Sequence, residues 1–150
     1  MLLTILKLKL KRRIYVCWVI FRESQLSLAL IRSSMYHQDI YFIYGDLQKG
    51  VDKIKPHVME KYQEKFSSVI KELQELEYRG VYTSRHPFRI IHMHKVEKLS
   101  DFMSVLAHEV LHLTFELLDH RGMKLGSKSE EAYTHLHDHL IEIIVKEMFE

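Results

Sequence analysis

A chain of 150 residues, 47% of them hydrophobic and 28% charged, has the composition of one globular domain. Its formal net charge is only +2, and the basic residues near its start do not continue into a broad patch, so we expect no nucleic-acid partner. The single cysteine excludes an intrachain disulfide and a cysteine-rich zinc site, and it favours a reducing, cytoplasmic location.

The first part of the chain alternates apolar runs with charges. No uncharged run in residues 1–34 exceeds eight residues, which is too short to span a bilayer, so we expect no stable membrane insertion. A compact pattern of strands and helices begins near Met35. We therefore place a boundary there. We predict that residues 1–34 are an N-terminal extension, either outside the native chain or an added strand or anchor, and that residues 35–150 form the domain.

The domain is predicted to open with a strand and a divided helix. Residues 39–45 are β-branched and aromatic and end in glycine, which is typical of a buried strand. Apolar residues then recur at three- and four-residue steps from Leu47 to about Glu77, which predicts a helical stretch. Pro56 lies inside this stretch and is expected to bend it or break it into two pieces.

Two further strands are predicted at residues 78–84 and 88–96. The second carries His92 and His94 at alternating positions. If this strand is the edge of the sheet beside a metal-binding helix, both histidines border a substrate cleft. Otherwise they belong to the polar face of an ordinary strand.

Two long helices are predicted to complete the domain. Ser100 has the position of an N-cap for a helix that runs to about residue 120, where Gly122 follows as the C-terminal signal. The last helix spans about residues 130–148. The predicted fold class is therefore α+β, with a small, mostly antiparallel sheet packed on helices.

The motif that carries chemistry lies in the first of these helices, where residues 107–112 read Ala-His-Glu-Val-Leu-His. His108 and His112 are one turn apart, so both imidazoles lie on one helix face and can bind a single ion. Glu109 can lean toward the open position of the metal and act as general base on a water molecule. Two histidines and a carboxylate suit zinc, and they also suit iron or manganese.

An HExxH site needs a third protein ligand. In one family of zinc peptidases it is a histidine six residues after the second histidine, with a glycine halfway between. Phe115 and Leu118 occupy those positions here, so that arrangement fails. Another arrangement takes a glutamate from the next helix, and Glu131 follows His112 with eighteen residues between them. Its neighbour Glu130 could substitute for it.

Other polar residues on the two helices are candidates for supporting roles. His135 lies four residues after Glu131 and could hold the oxyanion, serve as an alternative ligand or fix Glu131; otherwise it is a partly exposed helix histidine. Glu116 and Asp119 could accept a ring N–H from a ligand histidine or tie helices together, or be solvated carboxylates. Two more histidines of the last helix are expected to be solvated: His137 and His139.

HExxH followed by a glutamate on the next helix resembles the gluzincin metallopeptidases. The stretch LAHEVLHLTFELLDHRGMKLGSKSEEAYTHLHDHL is still more similar to short, single-domain zincin-like proteins encoded by bacteriophages and prophages. The resemblance covers about residues 38–149 and implies a zincin-like fold, a zinc cofactor and a peptide or protein substrate. It also implies His108, His112 and Glu131 as zinc ligands, with Glu109 as general base.

Three functions remain open from the sequence. The first is a zinc-dependent hydrolase that acts on a peptide bond. The second is a non-catalytic zincin-like module in which the metal is structural or absent and the surface binds a protein; His120 or His135 could then close the coordination shell. The third is a structural domain in which HExxH is accidental. The sequence does not decide the oligomeric state.

Overall fold

A computed structural model of the chain describes the backbone of residues 21–23, 26–33 and 38–149, and the side chains of residues 39–146 and 148. Within these residues the protein has five strands and four helices, and the predicted α+β class is confirmed. The strands are β1 (Phe21–Glu23), β2 (Leu26–Ser33), β3 (Gln38–Gly45), β4 (Gly80–Arg85) and β5 (Phe88–Met93). The helices are α1 (Leu47–Ile54), α2 (Gln63–Gln74), α3 (Leu99–Asp119) and α4 (Glu130–Phe149).

The strands form one mixed sheet in the order β1-β2-β3-β5-β4. β3 runs parallel to β5, while the other neighbouring strands are antiparallel. Parallel neighbours need a crossover connection, and the segment with α1 and α2 supplies it. β4 therefore lies at one edge of the sheet and β5 lies inside it. The expectation that the strand with His92 and His94 is the edge is wrong, because β3 covers its other side.

Helices cover both faces of the sheet, because the side chains of β3 and β5 alternate between two apolar clusters. One cluster joins the sheet to α1 and α2 through Tyr41, Ile43, Phe88 and Ile90. The other joins it to α3 and α4 through Ile40, Phe42, Ile91 and Met93. The candidate metal-binding helix, α3, thus packs on one face of a sheet whose other face is covered by α1 and α2.

The predicted division of the first helical stretch is confirmed. α1 ends at Ile54, and Pro56 lies in a 3₁₀ turn over Lys55–His57. A second 3₁₀ turn, Glu60–Tyr62, then leads into α2. Proline has no N–H to continue an α-helical ladder, which explains the break at this point.

The start of α3 differs from the prediction. The helix begins at Leu99, and the residue before it, Lys98, has an extended backbone and no side-chain cap bond. Ser100 lies inside the first turn, so its assignment as N-cap is wrong. The predicted end of the helix is confirmed: Gly122 has a φ of 72°, and its N–H donates to the carbonyl of Asp119 at 2.8 Å.

The predicted boundary at residue 35 falls among residues 34–37, outside the described residues. Before it, β2 pairs with β3 along its whole length, from Leu26 opposite Gly45 to Ser33 opposite Gln38. Whether residues 1–34 belong to the native domain stays a prediction. Among the helices that the structure describes, none is long and apolar enough to cross a membrane.

Candidate metal centre

α3 presents the HExxH motif because its two sides differ in polarity. Buried apolar residues recur along the side that faces the sheet and α4: Phe102, Leu106, Val110, Leu113 and Leu117. His108 and His112 lie on the exposed side, one turn apart. The helix is therefore fixed by its apolar side, and the two imidazoles are left accessible.

The two imidazoles of the motif converge. Their Nε2 atoms are 3.2 Å apart, and the ring planes of His108 and His112 are inclined by 82°. Two nitrogens bound to one tetrahedral zinc, each at 2.0–2.1 Å, lie about 3.3 Å from each other. The same distance also suits a hydrogen bond between the two rings. The separation of the two Nε2 atoms is therefore compatible with two ligand positions of one zinc ion and with a hydrogen bond.

Glu109, which follows His108 in the sequence, is buried between α3 and the start of β4. It is only 7% exposed, and its carboxylate has no hydrogen bond or ion pair with any residue that the structure describes. Its side chain packs against Gly80, the first residue of β4, where an added Cβ would lie 3.3 Å from Glu109 Cγ. An open cavity of about 410 Å³ lies beside it and is lined by Arg79, Gly80, Ser104, Val105, His108 and Glu109.

A second open cavity, of about 420 Å³, lies further along α3 toward its C-terminal end. Its lining is largely apolar and includes three charged side chains, and it is formed by His112, Phe115, Glu116, Asp119, Lys124, Leu125 and Tyr133. The hydroxyl of Tyr133 donates to the carbonyl of Met123 at 2.7 Å, which ties α4 to the loop that precedes it. Each histidine of the pair thus lines a different cavity.

The predicted third ligand is placed apart from this pair. Glu131 Oε1 lies 2.9 Å from His135 Nε2, and both side chains are largely exposed. His135 thus contacts Glu131, as in one of the three roles considered for it, and its roles as oxyanion donor or alternative ligand stay predictions. In the part of the chain that is described, no three His, Cys, Asp or Glu side chains are grouped so as to hold a metal. Glu131, or its exposed neighbour Glu130, stays a prediction as third ligand.

Glu116 lies one turn beyond His112, and it contacts the sheet instead of a ligand histidine. Its carboxylate accepts hydrogen bonds from the hydroxyls of Tyr82 at 2.5 Å and Ser84 at 2.6 Å. It also forms an ion pair with Arg89 at 2.8 Å, and that arginine is only 2% exposed. Glu116 therefore ties α3 to β4 and β5. Asp119, by contrast, is exposed.

This network perturbs the groups within it. Burial raises the pKa of the Glu116 carboxyl, but the hydrogen bonds from Ser84 and Tyr82 and the charge of Arg89 outweigh it, so the pKa lies below its ordinary value. Burial, followed by the bond to Glu116, raises the pKa of the Tyr82 hydroxyl far above its usual range. At neutral pH the carboxylate is charged and the phenol is neutral, as the hydrogen bond between them requires.

Sequence reasoning did not identify the three sheet residues of this network. Tyr82 and Ser84 alternate on β4, which is compatible with any exposed strand face. Arg89 was the available signal, since an arginine inside the apolar run Phe-Arg-Ile-Ile needs an anionic partner once it is buried.

Two histidine predictions need correction. His92 is buried on the sheet face that packs on α1 and α2, so it does not border the cavities of α3. Its Nε2–H donates to the carbonyl of Gly45 at 2.9 Å and its Nδ1 accepts from the hydroxyl of Tyr78 at 2.7 Å; burial holds its pKa below the ordinary value. His137 is not solvated as expected, because its Nε2 donates to the carbonyl of Ala107 at 3.1 Å. His139 is exposed.

Comparisons with protein-family models, curated proteins and solved structures found no match to this chain. No relative therefore supplies a function or a set of active-site residues. The features that indicate a function are the histidine pair, the adjacent glutamate and the cavities beside them.

Proposed function

We propose that the protein is a zinc-dependent, metallopeptidase-like hydrolase with a zincin-like arrangement, in which α3 is the active-site helix and β4 the strand beside it. The observation that carries the proposal is the convergence of His108 Nε2 and His112 Nε2 at 3.2 Å on the exposed side of α3. A carboxylate without a partner among the described residues, Glu109, adjoins that pair. Such a combination has no evident use in packing.

His108 and His112 are the proposed histidine ligands, and Glu131 is the proposed third ligand. Glu131 is free to exchange partners at little cost, since exposed ion pairs such as the one with His135 contribute about 0.2–1 kcal/mol. The free energy of zinc binding to a complete protein site, about 10–16 kcal/mol for structural sites, far exceeds that range. With Glu131 bound to zinc, His135 would hold that carboxylate from one turn away, which is a supporting role.

The proposed chemistry is hydrolysis of a peptide bond. Bound zinc would polarise the substrate carbonyl and lower the pKa of water to about 7. Glu109 would take a proton from the attacking water and pass it to the leaving amine. Its burial beside Gly80 restricts its side chain to the wall of the cavity that it shares with His108. The substrate class is a peptide or protein, and the proposed location is the cytoplasm.

A second function is favoured by one observation, the absence of a third grouped ligand among the described residues. A zincin-like module that binds metal or a protein partner without catalysis is compatible with a histidine pair alone. Such a module would hold zinc weakly or with a closed shell, and it would cleave no peptide. A cleavage assay on the zinc-loaded protein therefore separates the two functions.

The test is zinc content, measured by plasma mass spectrometry on untagged full-length protein. We expect about one zinc per chain in the wild type. His112→Ala is expected to lose it, because one imidazole of the converging pair is removed. His139→Ala, which removes an exposed histidine of α4, is the matched control and should retain the metal. Wild-type protein that stays metal-free after zinc is added would refute the proposal.

The catalytic step is tested on the zinc-loaded protein with a library of fluorogenic peptides. Glu109→Gln should keep the metal and lower turnover by at least about 100-fold, the usual contribution of a general base. Turnover of Glu109→Gln close to that of the wild type would contradict the assigned role. Bound zinc with no cleavage in either protein would favour the non-catalytic module.

A further inference from the structure

Tyr82 lies beside the candidate metal-binding pair, and its ring is parallel to that of one member of the pair. The rings of Tyr82 and His112 are stacked, with an interplanar angle of 8° and centroids 6.5 Å apart. That separation is within the range of attractive offset stacking between aromatic rings. The ring of the other imidazole, that of His108, lies 4.9 Å from the ring of His112 between centroids, with an interplanar angle of 82°. His112 is thus bounded by two rings.

The tyrosine ring is itself fixed. Its hydroxyl donates to Glu116 Oε2 at 2.5 Å, and Glu116 Oε1 accepts from Ser84 and pairs with the guanidinium of Arg89. The chain of contacts therefore runs from β5 through α3 to β4 and back to α3. Each side chain in it is oriented by a partner on a different element.

The burial of Arg89 gives this series of contacts a cost in folding free energy. Arg89 is 2% exposed, and its Nε finds no hydrogen-bond partner among the described residues. Burial of a guanidinium with an unsatisfied N–H is unfavourable, and apolar side chains of similar volume often replace such ion pairs without loss of stability. The arrangement is therefore poorly explained by stability alone, whereas it does give Glu116 and Tyr82 one defined geometry.

We propose that Tyr82 is a positioning residue for the metal centre: anchored by Glu116, its ring holds the imidazole of His112 so that Nε2 points toward Nε2 of His108. This inference rests on the proposed zinc site. An exposed histidine without such a neighbour samples several rotamers, and their loss on ligation weakens metal binding. Groups that orient metal ligands typically change metal affinity 10- to 100-fold when they are altered.

The experiment measures zinc affinity by competition with a chromogenic chelator, on full-length protein. Tyr82→Leu removes the aromatic face and should weaken zinc binding about 10-fold or more. Tyr82→Phe keeps the ring but loses the bond to Glu116, so we expect a smaller loss and partial rescue. Ser84→Ala is the matched control: it removes another bond to the same carboxylate and does not touch His112, and its zinc affinity should stay within about 3-fold of wild type.

Thermal unfolding without zinc, recorded for each variant, separates stability from positioning. Tyr82→Leu and Ser84→Ala that lose zinc affinity equally, with wild-type binding intact, would overturn the positioning role and leave the proposed function standing. If Tyr82→Leu does not fold, Tyr82→Phe decides, and wild-type affinity in that variant would overturn the inference. Wild-type protein that binds no zinc would remove the proposed function and the inference together.

Discussion

Glu116 shows how one carboxylate can carry a tertiary contact between three elements. It accepts bonds from two hydroxyls of β4 and one guanidinium of β5, while its backbone belongs to α3. Arg89 has no other carboxylate within ion-pair distance among the described residues. The ion pair of Arg89 therefore depends on Glu116. Removal of the Glu116 carboxylate leaves the buried positive charge of Arg89 uncompensated.

We expect Glu116→Ala to lower the free energy of unfolding at pH 7 by about 3 kcal/mol, the lower end of the range for a broken buried ion pair, because Glu116 is itself partly exposed. Urea denaturation followed by circular dichroism measures the difference. Glu142→Ala, at an exposed position of α4, serves as control and should change stability by less than about 0.5 kcal/mol.

The same variant should show a defined pH dependence. The pKa of Glu116 is lowered in the folded protein from an ordinary value of 4.5, so its stabilising contribution is complete above pH 4.5. It is lost as the pH falls from 4.5 through the lower folded-state pKa, where the carboxylate becomes protonated. The stability gap between wild type and Glu116→Ala should therefore narrow below pH 4.5. A gap that stayed constant from pH 7 to pH 3 would speak against this ionised pair.

At the scale of elements, the crossing of α3 over β4 depends on a missing side chain. A Cβ at Gly80 would lie 2.3 Å from Val105 Cγ1, which is closer than any real contact. Valine is β-branched and has little rotamer freedom in a helix, so its methyl group cannot turn away. The close approach of the two elements, which places Glu109 beside β4, thus requires glycine at this position.

Gly80→Ala should destabilise the protein by about 1–3 kcal/mol, the usual range for overpacking. Adding Val105→Ala should recover part of that loss, so the two substitutions are expected to be non-additive in a double-mutant cycle of urea denaturations. Gly126→Ala is the control, since nothing lies within 4 Å of a Cβ at that position. Strict additivity of Gly80→Ala and Val105→Ala would mean that the contact is relieved elsewhere.

The elements of this fold were largely predictable, because each follows from local patterns. The strand over 39–45 follows from its β-branched and aromatic residues, and the break at Pro56 follows from a missing N–H. The end of α3 follows from Gly122, which adopts the positive φ that glycine allows. The order of the strands was not predictable in this way, since pairing joins segments far apart in sequence. A polar residue on β5 reads as an exposed face, yet Arg89 and His92 are buried with partners from other elements.

The candidate site was also predictable from the sequence only in part. The spacing of His108 and His112 predicted a converging pair, because a four-residue step on one helix fixes their relation. The position of Glu131 depends on how α4 packs on α3 and on the loop between them, which no local pattern determines. The arrangement of Tyr82 next to His112 was not predictable from the sequence for the same reason, since it depends on how β4 and α3 pack together.

At the scale of the whole molecule, two apolar clusters on opposite faces of the sheet hold the helices in place. α3 and α4 are joined to β3 and β5 by a continuous cluster that includes Leu106, Val110, Leu140 and Ile144. This packing does not involve the histidine pair, which lies on the other side of α3. We therefore expect the described fold to form without metal, and zinc to add to a stability that is already present.

Zinc should accordingly raise the melting temperature without creating the fold. A ligand at one hundred times its Kd stabilises the native state by about 2.7 kcal/mol, which for a chain of this size corresponds to a rise of roughly 5–10 °C. Differential scanning calorimetry with and without zinc measures it, and far-ultraviolet circular dichroism in the presence of a chelator should retain the α+β spectrum. His112→Ala should show no zinc-dependent rise, because the pair is broken. An equal rise in that variant would place the bound zinc away from α3.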